Sequence, residues 1–257
     1  MKKFITTALT LLLPVSLVNA ENPPVIHLVT EHLPPYQIEA ENKALAGFSV
    51  DVIKAAMKRS QYDYTLNSYS WGRSYKLAQI KANHCIFSIA RTKSRENLFK
   101  WVGLIYYANN TSMWALKDRT IELKNLNDAK KYNVAVSRDD MTHIGLIERG
   151  FKENEHLYIL DNTKSLVNLL LTRASIDLIV ANDMTIKFHT DLAGVTIDDL
   201  QRVYEIKDLP LNLFFACSKQ TDDNIIKHLS KNMQSLYQDG SYDTILKKWR
   251  DRLISPD

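Results

Sequence analysis

The sequence is poor in several residue types on which common kinds of site depend. It has only seven glycines in 257 residues, and no glycine-rich loop of the kind that holds a phosphate group. Its seven histidines are scattered and are not partnered by a pair of cysteines at zinc-ligand spacing. A Gly-x-Ser-x-Gly motif is also missing. We therefore expect no phosphate loop, no metal, no cofactor and no serine-hydrolase chemistry.

A long apolar run occurs only at the start of the chain. Met1-Lys2-Lys3 is a short positive segment, residues 4–18 are mostly apolar, and Val18-Asn19-Ala20 places small side chains where a signal peptidase reads the chain. The alternative is a membrane anchor, but the run is short for a bilayer. We predict a signal peptide over residues 1–20, cleavage after Ala20, and a mature protein free in the periplasm because no cysteine stands at the cleavage point to carry a lipid.

The charges are nearly balanced. Removing the leader removes Lys2 and Lys3, so the formal charge falls from +4 to +2, and the remaining 237 residues suffice for one large domain or two small ones. Proteins that bind nucleic acid usually carry a clustered basic face. We therefore expect no nucleic-acid partner.

The two cysteines leave two possibilities open. In an oxidising compartment Cys85 and Cys217 can form one disulfide. Both lie in apolar, strand-like segments (CIFSIA and LFFACS), where buried free thiols are equally ordinary. The pattern slightly favours two free thiols, and a thiol count under denaturing, non-reducing conditions distinguishes the two.

Short apolar strands alternate with amphipathic helices after the leader, which is typical of open α/β sheets. In the first half the pattern predicts strands at 25–30, 62–69 and 85–90 and helices at 48–60 and 73–81. A second unit has predicted strands at 133–137, 157–160 and 176–181 and helices at 142–149 and 165–173. Two final helices are predicted at 222–238 and 242–253, with Gly240 as a terminator between them.

The second unit lies between two extended stretches, residues 106–116 and 203–218. This arrangement predicts two α/β lobes joined by two crossing strands, with a ligand cleft between them. The predicted boundaries are 21–110 for the first part of lobe 1, 111–206 for lobe 2, and 207–257 for the return to lobe 1.

Four segments, in order, resemble the bacterial extracellular solute-binding proteins of family 3, which are known for polar amino-acid uptake. They are residues 30–36 (TEHLPPY), 47–52 (GFSVDV), 88–95 (SIARTKSR) and 239–249 (DGSYDTILKKW). Residues 87–92 and 99–103 resemble a divergent branch. The resemblance implies a periplasmic-binding-protein-like fold and a monomer without enzymatic activity. Such a protein closes on a small polar solute, such as an amino acid, and delivers it to an ABC-type membrane permease.

The resemblance implies that Arg95 holds a ligand carboxylate, for which guanidinium offers a planar fork of donors. A surface arginine paired with Glu96 or solvent is the alternative. The backbone of Ala90 and the carbonyl or hydroxyl of Ser88 would complete this half of the site. Arg91 is a second cation nearby, or else a solvated arginine at a strand end.

The resemblance implies a hydrogen-bonding or acidic partner for a ligand ammonium group on each lobe. Glu31 follows the first strand, where the family often carries an acid, although a solvated loop residue is equally consistent. In lobe 2 the spacing favours Asn182 and the chemistry favours Asp183, which can instead cap the following helix. Tyr36 and Trp71 are the predicted aromatic walls, with core packing as the alternative.

One segment departs from the family pattern. The family usually has a Gly-Thr or Gly-Ser turn after the strand at 134–136, where a helix N-terminus helps to hold the carboxylate. This chain has Ser137 to Thr142 (SRDDMT), without glycine and with two acids. Thr142 still offers a hydroxyl and an amide, but the acids would repel an anion. The ligand is therefore expected to differ from a standard α-amino acid or to sit differently.

Two other functions are compatible with the same fold. Periplasmic dehydratases use cleft carboxylates for acid–base chemistry, a role open to Glu31 and Asp183. Some receptor kinases use the fold as a sensing module, which here would require a separate membrane partner.

Overall fold

The computed structural model describes residues 23–108, 111–138, 140–160, 166–207, 209 and 212–254. The predicted leader, residues 1–20, lies outside these ranges, as does Ser165, the predicted start of one helix. Across the described ranges, no helix combines the length and the apolar character needed to cross a bilayer.

The described residues form twelve β-strands and seven α-helices. The strands are β1 (Ile26–Thr30), β2 (Ile38–Glu39), β3 (Leu45–Ala46), β4 (Tyr64–Ser68), β5 (His84–Ala90), β6 (Phe99–Tyr106), β7 (Ser112–Leu116), β8 (Val134–Ser137), β9 (Leu157–Leu160), β10 (Leu178–Ala181), β11 (Leu200–Glu205) and β12 (Leu213–Ser218). The helices are α1 (Phe48–Lys58), α2 (Trp71–Ile80), α3 (Met141–Glu148), α4 (Leu166–Thr172), α5 (Asp183–Ala193), α6 (Asp223–Gln238) and α7 (Ser241–Ile254).

Lobe 1 is built on a five-stranded sheet with the order β4-β1-β5-β12-β6. Strand β1 runs parallel to β4 and β5, whereas β12 is antiparallel to β5 and β6. Helices α1, α2 and α6 pack on the sheet, and α7 packs on α1 and α6. Phe48, Phe87 and Phe215 are fully buried in the resulting core. Because β1 and β5 are parallel neighbours, their carboxyl ends meet at one edge of the sheet, which is where open α/β sheets bind ligands.

Lobe 2 is built on a second five-stranded sheet with the order β11-β7-β10-β8-β9. Strand β8 is parallel to β9 and β10, and β7 is antiparallel to β10 and β11. Helix α3 packs on β8, and α4 and α5 pack on β10. Val134, Leu146 and Leu178 are fully buried in its core. Helices α3 and α5 begin directly beyond β8 and β10, so their N-termini lie at the carboxyl edge of this sheet.

Two connections join the lobes, one between β6 and β7 and one between β11 and β12. The predicted class, two α/β lobes joined by two crossings, is therefore confirmed. The lobe boundaries at residues 110/111 and 206/207 stay predictions. Several residues beside them, 109, 110, 208, 210 and 211, lie outside the described ranges.

The structure changes some predicted elements at their ends. Helix α1 ends at Lys58 rather than residue 60, and α2 begins at Trp71 rather than residue 73. The extended stretch at 203–218 is divided between β11 and β12. Strand β6 and the small β2–β3 hairpin have no counterpart in the predicted pattern. Gly240 separates α6 from α7 with φ 77°, as its predicted role as a terminator requires.

The slight preference for two free thiols is wrong. Cys85 and Cys217 form a disulfide that is fully buried in lobe 1. They occupy register partners on the antiparallel strands β5 and β12, which brings together residues 132 positions apart. The apolar surroundings that suggested free thiols are those of a disulfide inside a sheet core.

Gly47 allows the turn at residues 34–36 to lie directly on the start of α1. Its φ is 129°, and a Cβ atom there would lie 2.2 Å from the carbonyl oxygen of Tyr36. The first amides of α1 use this proximity: Phe48 N donates to Pro35 O at 3.1 Å and Ser49 N to Tyr36 O at 3.0 Å. The Gly-Phe motif thus positions Tyr36, one of the predicted site residues.

Candidate functional site

Arg95 is a buried cation at the carboxyl edge of the lobe 1 sheet. Its side chain is 7% exposed, and Nη1 donates to the carbonyl oxygen of Ala90 at 3.3 Å, at the end of β5. Nη1 also contacts Met141 Sδ of lobe 2 at 3.4 Å. Among the described residues no carboxylate lies within 4.0 Å of this guanidinium. Burial lowers the pKa of Arg95, while Tyr75 and Glu31 act in the opposite direction.

Two aromatic rings line the guanidinium. The ring centroids of Trp71 and Tyr75 lie 5.4 and 5.2 Å from Arg95 Cζ, within cation–π distance. The rings face the same side because these residues are one turn apart in α2. Ser74 in the same turn donates to Thr30 O at 2.7 Å and so ties α2 to the end of β1. The aromatic wall is therefore held against the strand end that precedes Glu31.

Glu31 and Asp140 approach the same region from different lobes. Glu31 directly follows β1, and Asp140 caps α3, with Oδ1 accepting from His143 N at 2.7 Å. Burial raises the pKa of Glu31 to about 8; the charge of Asp140 adds to this shift and Arg95 opposes it. Burial likewise raises the pKa of Asp140 to about 6, against the hydrogen bond and charge of His143. Two carboxyl groups with raised pKa values thus share a poorly solvated cleft with one guanidinium.

The end of β5 contributes polar groups to the candidate site. Ser88 is buried with φ 59°, and its hydroxyl accepts a hydrogen bond from Nε2 of the fully buried Gln37. The Gln37 Oε1 atom has no hydrogen-bond partner among the described residues. Ala90, two residues after Ser88, is also buried and binds Arg95 through its carbonyl oxygen.

Tyr36 and Asn182 bind each other across the lobes. Asn182 Nδ2 donates to Tyr36 Oη at 2.9 Å, and both side chains are buried. Asn182 also caps α5, with Oδ1 accepting from the amides of Met184 and Thr185 at 3.1 and 3.0 Å. The cap of this helix is therefore Asn182, not Asp183, the capping alternative considered from the sequence.

Three other predicted residues have separate surroundings. Asp183 is exposed and pairs with Arg202 at 2.6 Å. Arg91 is exposed and forms two hydrogen bonds with Glu96, at 2.8 and 2.6 Å, so Glu96 pairs with Arg91 rather than Arg95. Thr142, by contrast, is 9% exposed in the first turn of α3, next to Met141.

The structure thus brings Arg95, Trp71, Glu31, the Ala90 carbonyl and the start of α3 together. Ser88 and Thr142 are buried on the same two elements, β5 and α3, whereas Arg91 and Asp183 have other partners. The sequence reasoning did not identify Tyr75, Gln37, Met141 or a cleft position for Asp140. Tyr75 had a usable signal, its spacing of four residues from Trp71 on one helix face. Asp140 had another, because an aspartate just before a helical segment is a good N-cap. The cluster offers a cation for a carboxylate, carboxyl groups for a cation, and an aromatic wall.

Comparisons with known proteins agree with this architecture. The chain matches the model of the bacterial extracellular solute-binding proteins, family 3, over residues 25–252. It is similar to a histidine kinase sensor domain with similarity to periplasmic binding proteins (TM-score 0.75, 18% identity, covering 89% of this chain and 96% of that chain). A mutant of ArgBP from T. maritima is also similar (TM-score 0.74, 17% identity, 88% and 95%).

A third similar structure is the ancestral amino acid-binding protein AncCDT-1, a precursor of cyclohexadienyl dehydratase (TM-score 0.71, 17% identity, covering 88% of this chain and 94% of that chain). The comparison with curated proteins gives no match. At these identities the likeness of the solved structures shows a shared fold.

Proposed function

Because the chain belongs to the bacterial extracellular solute-binding proteins, family 3, we propose that it captures a small polar solute, an amino acid or a related compound, between its lobes. The lobes close on the solute by hinged motion, and the closed form delivers it to an ABC-type permease. The observation that carries the proposal is Arg95: a buried guanidinium between two aromatic rings, without a carboxylate partner among the described residues.

A buried cation of this kind is costly unless an anion satisfies it. A ligand carboxylate supplies that anion, with two parallel charge-assisted hydrogen bonds to the guanidinium. In this proposal Trp71 packs the ligand side chain, while Ser88 and the Ala90 backbone hold the ligand from lobe 1. Lobe 2 contributes Thr142 and the first turn of α3, which already contacts Arg95 through Met141.

Tyr36 and Asn182 have a different role in this proposal. Their hydrogen bond connects the lobes directly, and α5 places Met184 and Phe188 against the core of lobe 1. These contacts form an inter-lobe interface beside the ligand site. This interface supports the closed arrangement, and the ligand adds its own contacts between Arg95 and α3.

The proposed site predicts that Arg95 and Arg91, two arginines of the same segment, differ clearly in their contribution to ligand affinity. Replacement Arg95→Ala should weaken ligand binding at least about 100-fold, because removing one partner of a buried charged pair costs several kcal/mol. Replacement Arg91→Ala should change binding less than about threefold, since Arg91 is exposed and paired with Glu96. The ligand is found by thermal-shift screening over amino acids, oligopeptides and organic acids, followed by calorimetric titration of both variants.

Each outcome has a defined meaning. A ligand raises the melting temperature because it binds the native state and not the unfolded chain. No ligand in the whole screen, or equal affinities for wild type and Arg95→Ala, would contradict the proposed site. Arg95→Lys keeps the charge but loses the planar fork, so it should bind more weakly than wild type and more strongly than Arg95→Ala.

The location and partner follow from the same proposal. The predicted leader exports the chain, and the permease receives the solute at the outer face of the inner membrane. A sensing role would instead require a signalling receptor as the membrane partner. Crosslinking of the ligand-loaded protein in its native membrane, followed by identification of the captured protein, separates the two: a permease subunit supports transport, and a receptor supports sensing.

The paired carboxyl groups favour one second candidate, an acid–base enzyme of the dehydratase kind. With a pKa of about 8, Glu31 holds its proton at neutral pH and is able to donate it to a leaving group. Product formation by catalytic amounts of protein would support this function. Glu31→Gln should then abolish turnover while leaving ligand binding measurable.

A further inference from the structure

The N-terminus of α3 differs from a helix N-terminus that is free to bind the anionic group of a ligand. Asp140 caps the helix with its own carboxylate, which accepts from His143 N at 2.7 Å. Amides at a helix N-terminus attract anions, but here an anion of the protein already occupies that position. A ligand carboxylate therefore has Arg95 as its cation and gains little from α3.

Asp140 also adds a negative charge opposite Glu31. Glu31 lies at the carboxyl edge of the lobe 1 sheet, and the contact between Met141 Sδ and Arg95 at 3.4 Å brings the start of α3 to the same edge. With both carboxylates ionised, Glu31, Asp140 and Arg95 carry a net charge of −1. A ligand that pairs one carboxylate with Arg95 still leaves two carboxylates to be balanced.

We propose that Asp140 makes the cleft selective for ligands with a net positive charge, because its carboxylate meets Glu31 from the other lobe and the pair approaches closely only around a cationic group. This inference rests on the proposed function and names the ligand class: a compound with one carboxylate and two cationic groups. Basic amino acids are the simplest members of this class.

The titration behaviour of the pair is consistent with this assignment. Burial raises the pKa values of Glu31 and Asp140, and for Glu31 the charge of Asp140 adds to a shift that Arg95 only partly opposes. A cationic ligand group placed between them lowers both pKa values and expels the proton from Glu31. Binding at neutral pH should therefore release protons, which calorimetry in buffers of different ionisation enthalpy measures.

The first test needs no ligand. The radius of gyration is measured by small-angle X-ray scattering at pH 9, where both carboxyl groups are ionised. Asp140→Asn and Glu31→Gln each remove one charge from the pair, and asparagine caps a helix as well as aspartate does. Both variants should be more compact than the empty wild type, and the double variant no more compact than either. Asp183→Asn, an exposed acid at the start of α5, is the matched control and should behave like wild type.

The second test compares ligands of nearly equal shape and different charge. At pH 7.5, L-arginine should bind wild type at least about tenfold more tightly than neutral L-citrulline, since one pKa unit of interaction corresponds to a factor of ten. In Asp140→Asn this ratio should fall about tenfold, whereas Asp183→Asn should keep it. If neither compound binds, the scattering comparison decides by itself.

The results separate this inference from the proposed function. Equal affinity for a ligand in wild type and Arg95→Ala would show that the proposed site is wrong. Loss of binding in Arg95→Ala, together with an unchanged charge preference in Asp140→Asn, would leave the site standing and overturn the role of Asp140. An Asp140→Asn protein with the wild-type radius of gyration at pH 9 would also overturn it.

Discussion

At the scale of single residues, Glu31 is half-buried and lies in a position that raises its pKa. Its pKa of about 8 means that the folded protein holds a proton over a pH range in which the unfolded chain, with a value near 4.5, has lost it. Folding therefore takes up a proton between about pH 4.5 and 8, and the free energy of unfolding falls as the pH rises through that window. Asp140, with a pKa of about 6, acts in the same direction.

Glu31→Gln should flatten this pH dependence. One proton taken up on folding corresponds to about 1.4 kcal/mol per pH unit at most, so the variant should gain stability relative to wild type as the pH rises from 5 to 8. Chemical denaturation of the ligand-free protein at several pH values measures the difference. The control is Glu41→Gln, an exposed acid in the β2–β3 hairpin. Parallel curves for wild type and Glu31→Gln would show that Glu31 is not held in a desolvated site.

The site residues were predictable to different degrees. The motifs point to Arg95, Trp71 and Glu31 because they place these residues next to strand or helix ends, and the fold brings these ends together. The choice between Asn182 and Asp183 depends on rotamers at a helix start, because one side chain turns back to cap α5 and the other pairs with Arg202. Gln37 had no local signal, since its burial against Ser88 arises only from the folded position of the turn at residues 34–36.

At the scale of secondary structure, apolar periodicity was a good guide to helices and a weaker one to strands. Helices α1 and α6 bury one face each, so the spacing of their apolar residues predicts them. Strand β6 lies at the edge of the lobe 1 sheet, and its buried and partly buried residues do not alternate regularly. Its pairing with β12, more than 100 residues later, is what defines it, and that pairing is not a local property.

Gly47→Ala should disturb the junction between the turn at residues 34–36 and α1. Its φ of 129° costs an alanine about 1–3 kcal/mol, and the clash with Tyr36 O adds to this. The free energy of unfolding should fall by at least that amount, and Tyr36 should lose its hydrogen bond to Asn182. Urea denaturation and the ligand affinity are the measurements.

Gly72→Ala is the matched control for this change. Gly72 lies in α2, and a Cβ atom there would meet nothing within 4 Å. Alanine is favoured over glycine in helices by about 1 kcal/mol, so this variant should be as stable as wild type or more stable. Equal stability of the Gly47 and Gly72 variants would mean that the turn can move away from α1 at no cost.

At the scale of the whole molecule, the disulfide connects β5, which precedes lobe 2 in the chain, with β12, which follows it. Replacing both Cys85 and Cys217 by alanine should lower the free energy of unfolding by about 2–5 kcal/mol, because the bond closes a long loop and restricts the unfolded chain. Thermal unfolding of the double variant and of oxidised wild type measures this. A count of two free thiols in the denatured, non-reduced protein would contradict the bond.

The pairing of the cysteines shows what sequence reasoning lacked at this scale. Two cysteines 132 residues apart give no indication that their strands are neighbours. The two-lobed topology implied that the chain returns to lobe 1 after residue 206, but not that the returning strand lies beside β5. The order of strands within the sheet determines this, and it depends on long-range packing.

The same bond determines how mechanical load passes through the molecule. All strands of the lobe 2 sheet lie between residues 112 and 205, inside the covalent ring closed by Cys85 and Cys217. A pulling force applied at the two ends of the chain passes from β5 to β12 through the sulfur atoms and bypasses the ring. The covalent path of this tension thus leaves out lobe 2, and stretching the oxidised protein would load the backbone of lobe 1 and not that of lobe 2.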